Sequence, residues 1–562
     1  MKELPNIASI LYLSVTFCFA PLANQAQGIP ADREAAIDAI FKAFDAPDVP
    51  GAAVAVWQDG KIAFSKGYGS ANLEYGIPVS PSETIFHVAS VSKQFTVYAI
   101  LLLQAEGKLN FDDPIRKYVP EVPDFGPVIT LRHLASHTSG MRDQWDLLSL
   151  AGWRFDDVIT VDHILKLVSR QQDLNFQPGE RYTYCNTGFT LLAETVARVS
   201  GKSFAEFTKE RIFGPVGMAH TLFYDDHEKL VHNRAYSYNL VDGTFKKAVL
   251  SFANAGATSL FTTPEDLVRW AHFLNRPPDE ATRKVVEQMN TLAVLNNGET
   301  FGGAYGQFVN DYKGLTQIQH GGADAGYRSF LGRFPEQDFA VAVVSNFGDS
   351  NPNGLAMQVV DLFLADQLTE PEAPEVPEEA PAITLGEDAL KAFEGYYWFD
   401  QQKTYRQIVL KDGELIYSRP GGADTRLAPI GPSSFKMLDI GVYAVVEFHN
   451  ENGQPYFVFN GPGGEQTRMY AFEYSAPDAA TLGEYAGTYY SPELDTAYEI
   501  VLDGDSLIAR HNRHADEAIT YTRKDELSIG GVGAQITRDD NGKVSGMLVT
   551  TGRVVDLKFV RK

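Results

Sequence analysis

The last third of the chain is written twice. Phe393-Glu394-Gly395-Tyr396-Tyr397 returns as Tyr485-Ala486-Gly487-Thr488-Tyr489. Ile408-Val409-Leu410 returns as Ile500-Val501-Leu502, and Leu415 as Leu507, all at one constant offset. Several features matching at one spacing require two copies of one folding unit. Each copy consists of short alternating runs broken by turn signals such as Asp412-Gly413 and Asp503-Gly504, with little helical periodicity. That pattern predicts a small antiparallel β-barrel or sandwich per copy, over 387–475 and 476–562. The Gly-x-Tyr pairs read as barrel-corner glycines with packed aromatics, and a ligand pocket inside a barrel is the alternative.

The repeats are set off by a linker. Thr369 to Pro381 carries five Glu and four Pro. Proline favours polyproline II and like charges repel, so 369–386 reads as a semi-rigid exposed spacer. Upstream, over 27–368, the pattern changes. Arg33 to Phe44 reads as an amphipathic helix, and Ala52–Trp57 and Lys61–Phe64 as strands joined by an Asp59-Gly60 hairpin turn. Helical periodicity dominates from Ser92 to about Phe207. Strand patterns return at Leu331–Phe334 and Phe339–Ser345, and a helix from about Gly354 to Asp366 ends the region. Strands at both ends with helices between predict an α+β domain, a mixed sheet whose terminal segments pair plus a helical lobe. A length of 562 residues agrees with three or four domains.

Charge narrows the function classes. The formal net charge is −24, which argues against nucleic acid and against anionic lipid as partners, since both need basic patches. Lys2, the apolar run Ile7–Ala23 and the small or polar residues through Ala26 read as a cleaved signal peptide over 1–26. A periplasmic or secreted mature chain is therefore expected, with a retained span as the alternative. No later stretch is long and apolar enough to cross a bilayer. Of the two cysteines, Cys18 lies in the signal segment and Cys185 remains, so no internal disulfide is expected. A small-molecule or short-peptide substrate is the expected partner, and a homodimer stays open.

General cofactor motifs fail. Gly201-Lys202-Ser203 lacks the upstream glycine of a P-loop, because Val196 stands there. His133 and His137 have helical spacing, but no Glu follows His133, so both read as structural. No Gly-x-Ser-x-Gly elbow is present. No metal or cofactor is expected. What remains is Ser90-Val91-Ser92-Lys93, heading an apolar helix from Phe95 to Leu103. Residues i and i+3 share a helix face, so the Ser90 hydroxyl and the Lys93 amine can meet. A serine needs a base to become nucleophilic, and a lysine is a base only when burial or a nearby cation lowers its pKa. The helix N-terminus offers free N–H groups to an oxyanion. Alone, the same four residues also describe a helix cap followed by a surface lysine.

Two further motifs change the weight of this one. Tyr184-Cys185-Asn186 and His320-Gly321-Gly322 follow in order. Between them and Ser90 lie Gly107-Lys108-Leu109-Asn110-Phe111-Asp112-Asp113-Pro114, Ile129-Thr130-Leu131-Arg132-His133-Leu134-Ala135-Ser136-His137-Thr138-Ser139-Gly140 and Pro178-Gly179-Glu180. From about Ala31 to Leu364 the chain resembles the serine β-lactamase and penicillin-binding protein superfamily, with its Ser-x-x-Lys, Tyr-x-Asn and Lys/His-x-Gly motifs. Class C β-lactamases, D-aminopeptidases, D-Ala-D-Ala carboxypeptidases and related esterases are the nearest in pattern. The resemblance implies a β-lactamase/transpeptidase-like catalytic domain, a helical lobe plus an antiparallel sheet, followed by two small antiparallel lipocalin-like barrels, as in D-aminopeptidases.

The resemblance also implies roles. Ser90 is the nucleophile and Lys93 accepts or relays its proton. Tyr184, as phenolate or through a hydrogen bond to Lys93, is the base and then the acid for the leaving group. Asn186 orients Lys93 and the substrate amide, and His320 takes the place of the third-motif lysine. The backbone N–H groups of Ser90 and Ala323 form the oxyanion hole, while Gly321 and Gly322 allow close backbone approach. Lysine at about 10.4 and tyrosine at about 10 are matched for proton exchange. Cys185 is expected to be a buried filler. Arg328 is a candidate for holding a substrate carboxylate, against a structural role. Histidine at 320 offers a weaker fixed charge than lysine, which argues against efficient penicillin hydrolysis. The expected activity is that of an amidase or peptidase for small D-amino-acid-containing substrates. The alternatives are a carboxylesterase, a β-lactamase or a non-catalytic penicillin-binding sensor.

Overall fold

A computed structural model describes residues 29–369, 383–400, 403–420, 422–438, 440, 443–461 and 466–562. The expected signal peptide and most of the Pro/Glu linker lie outside the described residues. Among the described residues no helix is long and apolar enough to cross a membrane.

The catalytic-domain sheet has six strands in the order Phe308–Tyr312, Leu315–Asp324, Tyr327–Phe334, Phe339–Ser345, Ala52–Gln58, Lys61–Tyr68. The terminal segments pair, with Ala52 opposite Ser345 and Trp57 opposite Ala340. Every pairing in this sheet is antiparallel, as the family resemblance implies and in place of the mixed sheet read from the strand pattern alone. Each neighbouring pair other than the long-range one is joined by a hairpin or short connection, which permits antiparallel pairing without a crossover. Asp59 and Gly60 turn the first hairpin with φ of 53° and 76°, as a type I′ turn requires.

The central strands are apolar on both faces because both faces are covered. Ala53, Ala55 and Trp57 join one core cluster, while Ala52, Val54 and Val56 join the other. Helices Ala31–Ile40 and Pro352–Phe363 cover one face, and Pro264–Asn275 covers the other. Burying each Val or Phe is worth about 1.5–3 kcal/mol, so this strand pair anchors the domain. The helical lobe holds the buried helices Ser92–Ala105 and Asn186–Ser200, which pack on each other.

Each repeat is a closed eight-stranded antiparallel barrel, from Gly395–Phe399 to Gln466–Phe472 and from Gly487–Ser491 to Leu557–Arg561. The duplicated Gly-x-Tyr has a physical cause. Gly395 and Gly487 share a φ of 153°. Two residues on, the Tyr397 hydroxyl donates to the Phe393 carbonyl at 3.0 Å, and the Tyr489 hydroxyl donates to Tyr485 at 2.7 Å. The tyrosine ties the first strand back to the segment entering the barrel. Short helices, Glu387–Lys391 and Ala479–Tyr485, precede the barrels and bury Leu390 and Leu482. The strand-rich pattern gave no sign of them.

The two barrels differ in what they touch. The first keeps its own core, and the second shares one continuous apolar cluster with the helical lobe. The first leans on the second through Arg523, 3.6 Å above the Trp398 ring. The second is locked to the catalytic domain by an ion pair between Arg142 and Glu493 at 2.7 Å, each side chain 1% exposed. Arg513 donates twice to Asp157, at 2.8 and 2.7 Å, and the Tyr498 hydroxyl donates to Leu150 at 3.1 Å. Glycine is needed at 152, where φ is 84° and a Cβ would meet the His511 ring at 1.9 Å.

Removing one partner of a buried pair strands the other charge, at a cost of about 3–5 kcal/mol. Glu493→Ala is therefore expected to lower the stability of the catalytic domain and second barrel by that amount in denaturant titrations. A loss under about 1 kcal/mol would mean that the pair does not hold the interface.

Candidate active site

The site forms where three segments converge. Ser90 sits in the 3-10 turn Ala89–Val91, which runs directly into the helix Ser92–Ala105. One turn on, Lys93 is fully buried. Its amine meets Ser90 Oγ at 3.0 Å, Asn186 Oδ1 at 2.9 Å and the Ala257 carbonyl at 2.8 Å. Burial pulls the Lys93 pKa down to about 7, against the opposing pull of Asp324 and Asp143. The three contacts are chemically unequal. Asn186 Oδ1 and the Ala257 carbonyl can only accept hydrogen bonds, while a hydroxyl can also donate. A neutral Lys93 therefore spends its two N–H groups on the acceptors and turns its lone pair to Ser90.

Asn186 opens the helix Asn186–Ser200 and is held by Asp143. Asn186 donates its backbone N–H at 2.6 Å and its side-chain amide at 2.9 Å to Asp143 Oδ2. Asp143 also caps the helix Gln144–Leu150 by accepting from Trp145 N–H at 2.9 Å. Its carboxyl is fully buried, and burial raises its pKa. Asp143 was missed in the sequence, where its one local signal is a helix cap.

Tyr184 lies two residues before Asn186, and its ring stacks on His137 at 4.2 Å between centroids. Lys93 Nζ stands 4.9 Å from the Tyr184 ring centroid. Burial pushes the phenol well above its ordinary pKa, while a hydrogen bond with Ser90 and the charge of Arg553 pull the other way. His137 Nδ1 lies 3.0 Å from the Cys185 N–H and accepts from it, and burial holds its pKa well below the usual range. It therefore serves as a neutral platform for the tyrosine. His133 exchanges capping hydrogen bonds with Thr130. Cys185 is buried with its thiol pKa pushed up to about 12, as a packed filler should be.

The third motif lies on the strand Leu315–Asp324, beside the Ser90 turn. Gly322 is required there, because a Cβ would stand 2.2 Å from the Val88 carbonyl and 3.1 Å from Ser90 N. Ala323 borders the same cavity as Ser90. His320 is buried, and its pKa falls to about 3, through burial first and then the nearby Lys93. Its Nδ1 lies 2.6 Å from the Gly321 carbonyl, which can only accept, so Nδ1 carries the proton. Nε2 is then a bare acceptor, and it has no partner among the described residues. At the far end of this strand, Asp324 Oδ2 is engaged by His87 Nε2 at 2.9 Å and by the Thr258 hydroxyl. Arg328 is tied to the Ala325 and Tyr327 carbonyls at 2.9 and 2.8 Å, and it borders an outer cavity instead of the one holding Ser90.

Ser90, Tyr184, Asn186, His320, Gly322 and Ala323 border one cavity of about 480 Å³. It adjoins the outer cavity of about 840 Å³, with Trp145, Ala323, Asp324 and Arg553 common to both. Arg553 comes from the second barrel, in the turn between Val544–Thr550 and Leu557–Arg561. A barrel loop therefore reaches the site. The loop is latched: Arg553 N–H donates to Asp146 at 3.2 Å, and the Arg553 carbonyl accepts from Asn175 at 2.9 Å and from Asp143 N–H at 3.3 Å. The Val555 N–H donates to Asn175 Oδ1 at 2.8 Å. Nothing local to Gly552-Arg553 marks it in the sequence. Among the described residues no group of three or more His, Cys, Asp or Glu is placed to hold a metal ion.

The chain is similar to several known proteins. A D-aminopeptidase of Gluconobacter oxydans is 27% identical over 473 residues, covering 83% of this chain and 84% of its own. Protein flp of Staphylococcus aureus (strain MRSA252) is 29% identical over 309 residues, 53% of this chain and 60% of its own. Among solved structures, the octameric penicillin-binding protein homologue from Pyrococcus abyssi superposes with a TM-score of 0.55 at 26% identity, covering 78% of this chain and 99% of that one. The protein-family model described as Beta-lactamase matches residues 37–365, a span that holds Ser90, Lys93, Tyr184, Asn186 and His320. The chain belongs to the beta-lactamase family.

Proposed function

We propose that this protein is a serine hydrolase that forms an acyl-enzyme on Ser90 and cleaves small amides or peptides with a D-residue at the scissile bond. The observation that carries the reading is the buried amine of Lys93, held by two pure acceptors with Ser90 as its third partner. Neutral Lys93 takes the Ser90 proton as Oγ attacks the carbonyl carbon. The oxyanion is received by the N–H groups of Ser90 and Ala323. Tyr184, whose phenol is kept protonated by burial, passes a proton to the departing amine and is resupplied from Lys93. Water then attacks the ester, with the same groups drawing its proton away. Asn186 and Asp143 hold Lys93 in place as positioning residues.

The substrate class rests on three supports. The D-aminopeptidase relative aligns over 83% of this chain, well beyond the catalytic domain. The latched barrel loop roofs the cleft and favours small substrates. His320, neutral and accepting, lacks the fixed positive charge that a lysine would bring to a β-lactam carboxylate. A periplasmic or secreted location rests on the apolar run Ile7–Ala23.

A fluorophosphonate probe is expected to add mass to the peptide containing Ser90 and to no other, and Ser90→Ala to abolish the adduct. Lys93→Ala and Tyr184→Phe should each lower turnover by about 10² or more. Labelling that survives Ser90→Ala would defeat the assignment. Nitrocefin hydrolysis faster than D-alanyl p-nitroanilide hydrolysis would defeat the substrate class.

A second measurement follows from the Lys93 pKa of about 7. Below that value the amine is protonated and cannot accept a proton, and above it the base is available. The kcat/KM of the free enzyme should therefore climb from acid pH and level off above neutrality, on a limb with an apparent pKa near 7. A profile flat between about pH 5 and about pH 9 would remove Lys93 from the role of base.

A further inference from the structure

Arg553 is a cation at the cleft to which the reaction above assigns no step. Arg553 borders both the Ser90 cavity and the outer cavity. Its guanidinium carbon stands 5.1 Å from the centroid of the Tyr184 ring. Its backbone is fixed by Asp146, Asn175 and Asp143, so the side chain is delivered by a loop that is already ordered. A binding group that is ordered in advance loses little entropy when a ligand arrives.

The nearby acids are engaged elsewhere. Asp143 Oδ2 accepts twice from Asn186, and Asp324 Oδ2 accepts from Thr258 and pairs with His87. Asp146 Oδ2 accepts from the Thr551 hydroxyl and from the backbone N–H of Arg553, leaving the guanidinium out of the exchange. Among the described residues the Arg553 guanidinium has no carboxylate partner. It presents a fork of five N–H donors beside an open cleft, the geometry that matches a carboxylate.

The other candidates for an anion cannot serve. His320 is neutral, and its Nε2 is a buried acceptor with no proton to offer a carboxylate. Arg328 is tied to two backbone carbonyls outside the Ser90 cavity. Lys93 is fully buried behind Ser90 and Asn186.

We propose that Arg553 of the second barrel is a specificity residue of the catalytic cleft and receives a carboxylate of the substrate. The preferred substrates are then D-residue peptides or amides bearing a free carboxylate close to the scissile bond. This rests on the reading of Ser90 as nucleophile, and it adds the chemical group that the barrel loop selects.

The test uses the full chain and two matched substrate pairs. One pair places the carboxylate on the departing side: N-acetyl-D-Ala-D-Ala and its C-terminal amide. The other places it on the acyl side: D-Glu p-nitroanilide and D-Gln p-nitroanilide. The wild type is expected to favour the acid by about tenfold or more in kcat/KM in one pair, which identifies the side. In Arg553→Gln that ratio should collapse toward unity, and Arg553→Lys should restore part of it. The inference is overturned if the wild type shows no acid preference in either pair, or if the preference survives Arg553→Gln. It is equally overturned if Arg553→Gln lowers both members of a pair alike, because the arginine would then act only on the loop or on Lys93. No turnover of any of the four, together with an unlabelled Ser90, would overturn the hydrolase reading and this inference with it.

Discussion

The buried amine of Lys93 sets the terms for the rest of the site. An ammonium taken out of water without partners is too costly to keep, so the group must either be surrounded by acceptors or lose its proton. Both solutions are present. Its hydrogen bonds come from three parts of the chain: Ser90 on its own helix, Asn186 at the head of another, and the Ala257 carbonyl. These separate segments must be placed to a fraction of an ångström for one amine to be satisfied. The large apolar core of the helical lobe supplies that rigidity, and the largely buried helix Ser92–Ala105 runs through it.

The second barrel belongs to this arrangement. Arg142 and Asp143 are adjacent in the chain and face different tasks. Arg142 pairs with Glu493 of the barrel and donates to Val555 in its loop. Asp143 takes both N–H groups of Asn186, which in turn holds Lys93. A single turn thus couples the barrel interface to the orientation of the proposed base. The Asp143 backbone N–H also donates to the Arg553 carbonyl, closing the circuit through the barrel loop. The domain boundary seen in composition is therefore not a boundary in the chemistry.

What could be read from the sequence divides along that line. The barrels were legible because duplication and alternation are local, and the three motif segments because each is contiguous. The pairing of Ala52–Gln58 with Phe339–Ser345 was legible because both runs are continuously apolar. The sheet's uniform antiparallel pairing came from the family resemblance, since residue pattern alone does not distinguish strand direction in short buried runs. Asp143 and the His87–Asp324–Thr258 cluster were missed because their meaning lies in partners far away in the chain. Arg553 was missed for the same reason, lying hundreds of residues from the helix that receives its loop. Arg328 was singled out by nearness in sequence to the third motif, yet its guanidinium is absorbed by the carbonyls of its own turn.

Histidine at 320 and arginine at 553 are best understood together. A lysine on the strand beside Ser90 would place a second ammonium near Lys93, and two cations at close range raise the cost of burying either. His320 avoids that conflict by giving up its charge, with burial and Lys93 both holding it neutral. The cleft does not thereby lose all positive potential. Arg553 supplies it from the barrel loop, half-buried beside the Tyr184 ring. From there its charge favours the neutral form of Lys93 and opposes the rise in the Tyr184 pKa, both in the direction that proton transfer needs. A cation delivered on a separate domain can vary in position and side chain without disturbing the strand that lines Ser90. On the proposed reading, substrate recognition and acyl transfer belong to different folding units, joined at the Arg142–Glu493 pair.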